Sequence, residues 1–226
     1  MKTSVVIPAA GTGNRMNSEI PKQFIEINGI PTIIRTIKLF DNIKNIESIV
    51  IVSHCDWVSY IKELIKKFNC NKVKEIIIGG KERQDSVFIG LQTISVADTE
   101  LVLIHDSVRP FASENLIYKL IKTAKDFGSA IPIIKPTDSI KQIDNKGNIE
   151  KTLDRNYIGL VQTPEVFRTS IIIDSYKNAN KLNYKGTDTS SLVEFMGYNV
   201  RYLEGEIINI KITTPLDLEL ASIIFK

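Results

Sequence analysis

Short β-branched runs alternate along the chain with stretches in which apolar residues recur every three or four positions, the pattern of parallel strands joined by helical crossovers. Ser4 to Pro8, Ser48 to Ser53, Lys74 to Ile78, Leu101 to Ile104, Ser129 to Ile134 and Val200 to Leu203 read as strands. Several are continuously apolar, as strands covered on both faces should be. Ile33, Ile34, Ile37 and Phe40 predict one crossover helix, and Val58, Ile61, Leu64, Ile65 and Phe68 a second, with Asp56 as its N-cap. A third stripe, Ile117, Leu120, Ile121 and Ala124, lies between Ser113 as N-cap and Gly128 as the residue that ends the helix. All three stripes read as core-facing.

From Pro136 to Gln162 the pattern becomes polar and β-like, with Asp144-Asn145-Lys146-Gly147-Asn148 turning the chain between Ser139–Ile143 and Ile149–Leu153. This predicts a projecting hairpin with too little apolar surface to fold alone, so it should lean on another surface, such as a second subunit. No internal repeat, low-complexity tract or linker interrupts the rest, and residues 1–226 read as one domain.

Composition narrows the function classes. The 226 residues are 43% hydrophobic and 24% charged, which excludes a disordered or collagen-like chain and suffices for a core without disulfides or structural metals. A net charge of +3 does not suggest a nucleic-acid surface, although local cations can still receive a small anion. The aromatics Trp57, Tyr60 and Phe68 lack the interleaved basic residues of an RNA-binding face, and Lys62 to Lys67 read as the solvated side of a helix. Cys55, Cys70, His54 and His105 fall in no usual zinc spacing, and a reducing cytoplasm is the default. The apolar runs are too short to span a membrane, and Val5 to Ala10, which superficially mimics a signal peptide, reads as a first strand.

The candidate chemistry starts where that strand ends, at Pro8-Ala9-Ala10-Gly11-Thr12-Gly13-Asn14-Arg15-Met16. Small residues there let backbone N–H groups approach a phosphate. No Gly-Lys-Ser/Thr follows, so this is not a P-loop, and the third glycine of a dinucleotide-binding fingerprint is missing. Arg15 adds a cation, and Lys22 in Pro21-Lys22-Gln23-Phe24 adds a second, a pairing suited to a triphosphate. Asp106, just beyond an apolar strand, could cap a turn or pair with Arg109, but a strand-end carboxylate also suits Mg²⁺ or a substrate hydroxyl, and it is the best metal candidate. His105 beside it reads as a satisfied structural histidine.

Taken together, GxGxRM followed by PKQ resembles the pyrophosphorylase-like nucleotidyltransferases, and within them the 2-C-methyl-D-erythritol 4-phosphate cytidylyltransferase family. The later segments appear in that family's order: Gly79-Gly80-Lys81-Glu82-Arg83-Gln84-Asp85-Ser86-Val87, His105-Asp106-Ser107-Val108-Arg109-Pro110, Asp138-Ser139-Ile140-Lys141, Gln162-Thr163-Pro164-Glu165, Thr187 to Glu194, and Asn209 to Pro215. The resemblance implies a three-layer, Rossmann-like nucleotidyltransferase fold with a mainly parallel sheet and a dimerisation β-arm at about residues 136–162. It implies a CTP site lined by Ala9, Ala10, Gly11 and Gly13, with Gly80 and Ser86 near base and ribose, and Arg15 and Lys22 on the triphosphate. Asp106, Ser107, Thr163, Thr187 and Lys211 would surround the sugar phosphate, with Ser139 and Arg155 reaching in from the partner's hairpin. CTP as co-substrate, Mg²⁺, a homodimer and a cytoplasmic location follow from the same likeness, with no nucleic-acid or membrane partner.

Some letters depart from the family's usual ones. Ser107-Val108 replaces Ala-Ala or Gly-Ala, Ser139 replaces Thr while keeping the hydroxyl, Glu165 replaces Gln, and Thr189-Ser190 stand where Asp/Glu-Ala is usual. Glu165 brings negative charge near an anionic site and receives no substrate contact. His105 to Phe111 and the stretch around Asp56 to Ser59 resemble instead the sister ribitol-5-phosphate cytidylyltransferases, which makes ribitol phosphate the alternative acceptor. Glu82 to Val87, Leu153-Asp154-Arg155 and Thr187 to Glu194 favour methylerythritol phosphate. A binding module without turnover would have little reason to keep Arg15, Lys22, Asp106, Arg155 and Lys211 together.

Overall fold

The structure is a computed structural model that describes residues 2–11 and 20–226. Its strands are β1 (Thr3–Ala9), β2 (Glu26–Ile27), β3 (Ile30–Pro31), β4 (Ile46–Ser53), β5 (Val73–Ile78), β6 (Leu101–Ile104), β7 (Ser129–Ile134), β8 (Ile140–Ile143), β9 (Ile149–Leu153), β10 (Leu160–Val161), β11 (Glu165–Arg168) and β12 (Tyr202–Glu204). The helices are α1 (Thr32–Asp41), α2 (Val58–Lys67), α3 (Arg83–Gln92), α4 (Glu114–Phe127), α5 (Thr169–Lys181), α6 (Thr189–Phe195) and α7 (Pro215–Ile224).

The main sheet runs β10-β7-β11-β6-β1-β4-β5, with β12 also on β7. β6, β1, β4 and β5 are mutually parallel, β12 is parallel to β7, and β10 and β11 run antiparallel to their neighbours. The fold is therefore α/β with a mainly parallel sheet. Alternate side chains of each central strand enter different cores. Val5, Ile7, Ile49, Ile51, Leu101 and Leu103 join α1, α2 and α4 on one face. Val6, Val50, Val52, Val102 and Ile104 join α3, α5 and α6 on the other. Burial on both faces explains why these strands read as continuous apolar runs.

The foreseen strands are present, with bounds moved by up to two residues, most at β12, where Val200 and Arg201 stay outside the strand. Ser113 caps α4 by accepting from the Leu116 N–H, and Gly128 ends that helix at φ 91°. The expected cap of α2 differs: Asp56 lies in a preceding 3₁₀ turn, Trp57 holds the cap position without a side-chain hydrogen bond, and the His54 ring accepts from the Asp56 N–H.

The hairpin forms as β8 and β9, a two-stranded sheet of its own. Asp144 Oδ1 accepts from the N–H groups of Lys146 and Asn148, and Gly147 takes φ 89°, so the turn is closed by the residues the sequence offers.

Candidate active site

Parallel strands end together, and the ends of β1 and β6 open into a cleft of about 170 Å³. It is lined by Ala9, Ala10 and Gly11 after β1, Lys22, Gly80 and Ser86, Asp106 and Ser107 after β6, and Lys211. Gly13 and Arg15 lie outside the described residues.

One end of the cleft is made of backbone and small side chains. Gln23 is buried, and its amide donates to the carbonyls of Ala9 (2.8 Å) and Gly11 (3.0 Å), which ties the Lys22 turn to the loop after β1. Across from it, Ser86 Oγ accepts from the Gly80 N–H at 3.2 Å and donates to the Glu82 carbonyl at 3.1 Å. A side chain at Gly80 would meet Asp85 Cβ at 2.3 Å, so the turn that brings this backbone to the cleft requires glycine. Glu82 and Asp85 form a capping box that starts α3 directly after that turn.

The other end is a cluster of charges centred on Asp106. Its Oδ1 faces Arg83 Nε at 3.2 Å, and its Oδ2 faces Lys211 Nζ at 2.8 Å and Arg109 Nε at 3.5 Å. Burial alone would raise the carboxyl pKa, but Arg83, Lys211 and Arg109 outweigh it and hold the group well below the usual carboxylate range. Arg83 comes from the first turn of α3 and is pushed up by Asp106 and Glu165 despite its burial. Arg109 also donates to the Asn209 carbonyl at 2.8 Å. Arg83 and Glu165 lie within the motif segments Gly79 to Val87 and Gln162 to Glu165, but the sequence alone assigns neither a role in the site.

Beneath the charges lies a neutral support. His105 has no exposed surface, and its Nε2 lies 2.8 Å from the Arg109 carbonyl, which can only accept, so the proton sits on Nε2. Nδ1 then accepts from the Thr163 hydroxyl at 3.1 Å, and that hydroxyl oxygen accepts from the Asp106 N–H, also at 3.1 Å. Burial lowers the His105 pKa to about 4, so the ring is neutral and both its nitrogens are engaged. The structure thus places Thr163 behind Asp106 rather than on the cleft wall. Lys211 stands in a stretch without helix or strand, residues 205–213, held by amide side chains. Gln162 Nε2 donates to the Glu206 and Asn209 carbonyls, its Oε1 accepts from the Glu206 N–H, and Asn209 Nδ2 donates to the Thr163 carbonyl.

The remaining residues singled out from the sequence lie elsewhere. Thr187 is exposed in the loop before α6. Ser139 and Arg155 are exposed beside the hairpin, Arg155 bonded through Nη1 to the Thr137 carbonyl. Neither lines the cleft of its own chain.

Asp106 was the expected metal carboxylate, but both of its oxygens face cations, and the described residues build no magnesium cage around it. His54, Cys55 and Asp56, which no usual zinc spacing suggested, place ligand atoms within 4.8 Å of one another on the exposed turn after β4.

Comparison with known proteins gives a consistent result. The family model described as 2-C-methyl-D-erythritol 4-phosphate cytidylyltransferase matches residues 3–226. A 2-C-methyl-D-erythritol 4-phosphate cytidylyltransferase of Geobacillus thermodenitrificans is 42% identical over 224 residues, covering 99% of this chain and 97% of its own. One from Clostridium botulinum is 43% identical over 217 residues, covering 96% and 94%. Among solved structures, the 4-diphosphocytidyl-2C-methyl-D-erythritol synthase of Anaerococcus prevotii superposes with a TM-score of 0.86 at 33% identity, covering 99% of this chain and 95% of that one. The Francisella tularensis cytidylyltransferase superposes with a TM-score of 0.80 at 30% identity, covering 98% of each chain.

Proposed function

The chain belongs to the 2-C-methyl-D-erythritol 4-phosphate cytidylyltransferase family, and from that premise we propose how its cleft carries out the reaction. It is a nucleotidyltransferase of isoprenoid precursor synthesis: it transfers CMP from CTP to 2-C-methyl-D-erythritol 4-phosphate, giving 4-diphosphocytidyl-2-C-methyl-D-erythritol and pyrophosphate. The full-length match carries this reading and disfavours ribitol phosphate as the acceptor.

In the reaction a phosphate oxygen of the acceptor attacks the α-phosphorus of CTP as the bond to pyrophosphate breaks. A phosphate monoester loses its second proton near pH 6, so the attacking oxygen is already anionic at neutral pH and needs no general base. The neutral, fully hydrogen-bonded state of His105 supports that economy. The obstacle is the meeting of two polyanions, and catalysis is positioning plus electrostatic stabilisation.

The nucleotide is assigned to the end formed by Ala9, Ala10, Gly11, Gly80 and Ser86, and the family likeness adds Gly13 to its contacts and puts Arg15 and Lys22 on the triphosphate. The acceptor is assigned to the Asp106 end. There Asp106 accepts from a substrate hydroxyl, Ser107 and Thr187 border the polyol, Thr163 acts through Asp106, and Lys211 meets the phosphate. The magnesium that the family's chemistry implies is assigned to the phosphates of CTP, where it would offset negative charge, since Asp106 already faces three cations.

Ser139 and Arg155 are assigned to the acceptor site of a partner subunit. The hairpin pairs with no strand of the main sheet, and Ile143, Ile149, Tyr157 and Leu160 are exposed on or beside it, which supports a homodimer through the arm. A cytoplasmic location is proposed from the two free cysteines, exposed Cys55 and buried Cys70. Among the described residues no helix is long and apolar enough to cross a membrane.

The test is pyrophosphate release with CTP and Mg²⁺, comparing 2-C-methyl-D-erythritol 4-phosphate with D-ribitol 5-phosphate at matched concentrations. Faster release with the methylerythritol phosphate is expected. Faster release with ribitol phosphate would move the enzyme to wall or capsule polymer synthesis, and release with neither would leave only a binding module.

A further inference from the structure

Glu165 carries a carboxyl group with no solvent exposure. It opens β11 opposite Ile104 of β6, and its Oε1 accepts from the Ser190 N–H at 3.0 Å. Oε2 has no hydrogen-bond partner among the described residues and lies 3.8 Å from Arg83 Nη2. The same guanidinium donates from Nε to Asp106 Oδ1 at 3.2 Å and from Nη1 to Thr189 Oγ1 at 3.2 Å. Each of its three nitrogens therefore faces a different segment of the chain. Glu165 is the one of the three partners that does not line the cleft and yet can ionise.

We propose that Glu165 is a positioning residue for the transfer reaction: by facing the third side of the Arg83 guanidinium it fixes the plane in which Arg83 meets Asp106, and so tunes how well the acceptor end receives the polyol phosphate. This rests on the assignment of Asp106 to the acceptor. A charged Glu165 holds Arg83 between two carboxylates. A neutral one leaves the guanidinium free to pivot about its Asp106 and Thr189 contacts.

Burial pushes the Glu165 carboxyl up to about 7, Arg83 opposing the rise and Asp188 adding to it. The groups facing it are Arg83 from α3, Asp188 at the start of α6 and Tyr176 from α5. Asp106, Arg109 and His105 stand beyond Arg83, and Glu194 shares the Ser190 hydroxyl with Asp188. Arg83 and Tyr176 are pushed up, His105 is held to about 4, and Asp106 lies well below the usual range, so none of these four changes charge near neutrality.

Glu165→Gln keeps the shape and the acceptor for the Ser190 N–H but cannot ionise. The KM for 2-C-methyl-D-erythritol 4-phosphate, the KM for CTP and kcat would be measured for both proteins at about pH 6, 7 and 8. Near pH 6, where Glu165 is mostly protonated, the two proteins should agree within about twofold. By about pH 8 the acceptor KM of Glu165→Gln should be about three- to tenfold higher, with the CTP KM unchanged. Ionisation of the acceptor affects both proteins alike and cancels in the ratio. The folded pKa lies above the unfolded one, so this carboxyl lowers stability as pH rises through about 7, and Glu165→Gln should melt at or above the wild-type temperature at about pH 8.

A mutant-to-wild-type ratio that is flat with pH overturns the proposal. So does an equal rise in both KM values, or a KM rise accompanied by a lower melting temperature. Asp106→Asn separates the two claims. If it leaves the acceptor KM unchanged, the assignment of Asp106 fails. If it raises that KM while the Glu165→Gln ratio stays flat, only the role of Glu165 falls.

Discussion

The two ends of the cleft are built from different materials. The end proposed for the nucleotide is backbone and small side chains hung from β1 and the start of α3, fixed by Gln23, Ser86 and a glycine that tolerates no Cβ. The end proposed for the acceptor is charged side chains from three separated stretches, Arg83, Asp106 with Arg109, and Lys211, balanced against one another. At the first end the position of the main chain does the work. At the second the site exists only while the charges compensate, so removal of one group disturbs the others.

The sharpest way to break this contrast is to delete one charge from each end. Asp106→Asn leaves three cations without their shared carboxylate. It should lower kcat/KM by roughly three decades and cost about 3–5 kcal/mol of stability, read by turnover and melting temperature. Lys22→Ala, and likewise Arg15→Ala, should lower kcat by roughly two to three decades. Their melting temperatures should move much less than that of Asp106→Asn. Equal stability losses at both ends would erase the distinction.

A smaller effect addresses the hairpin. Arg155→Ala should raise the acceptor KM about tenfold with little change in melting temperature, because the arm contributes nothing to the main sheet. Mixing subunits of Arg155→Ala and Asp106→Asn, after dissociation and reassociation, should restore about a quarter of wild-type activity if each site combines one chain's cleft with the other's arm. No recovery would place Arg155 outside a shared site.

The mildest test concerns the support under Asp106. The folded pKa of His105 is depressed to about 4 from a reference of 6.5, so stability is complete above about 6.5 and falls as the pH drops toward 4. His105→Gln should flatten melting temperature against pH in that window. An unchanged slope would show that other groups govern it.

The sequence made the sheet legible where apolar runs mark strands buried on both faces, as at Leu101–Ile104 and Ser129–Ile134. It made the hairpin legible through its turn residues. Neither β11 nor α3 announces itself. β11 is four residues in the order buried-buried-buried-exposed, which no period distinguishes, and α3 packs so closely on the sheet that a Cβ at Gly90 would meet Val6 Cγ1 at 2.6 Å, so Ser86 and Gly90 share the buried face with Val87 and Leu91 and thin the apolar stripe. Part of the cleft lining, Ala9 to Gly11, Lys22, Gly80, Ser86, Asp106, Ser107 and Lys211, was legible because motif segments end strands, whereas Thr163 and Thr187 fall outside it and Gln23 and Arg83 were not foreseen there. The Arg83–Asp106–Glu165 arrangement was not, because residues separated by 23 and 82 positions meet only after the sheet forms.

The segment around Lys211 carries a last implication. It belongs to no ladder and is gripped from within by two amide side chains, Gln162 and Asn209, alongside Arg109 on the Asn209 carbonyl, the Ser113 N–H on the Glu206 carboxylate and the Ile212 N–H on the Val108 carbonyl. Exchange of those two amides would loosen the hold on the stretch that carries the Lys211 cation. The end proposed for the acceptor thus offers a route to other polyol phosphates through few substitutions, while the end proposed for the triphosphate is written into the main chain.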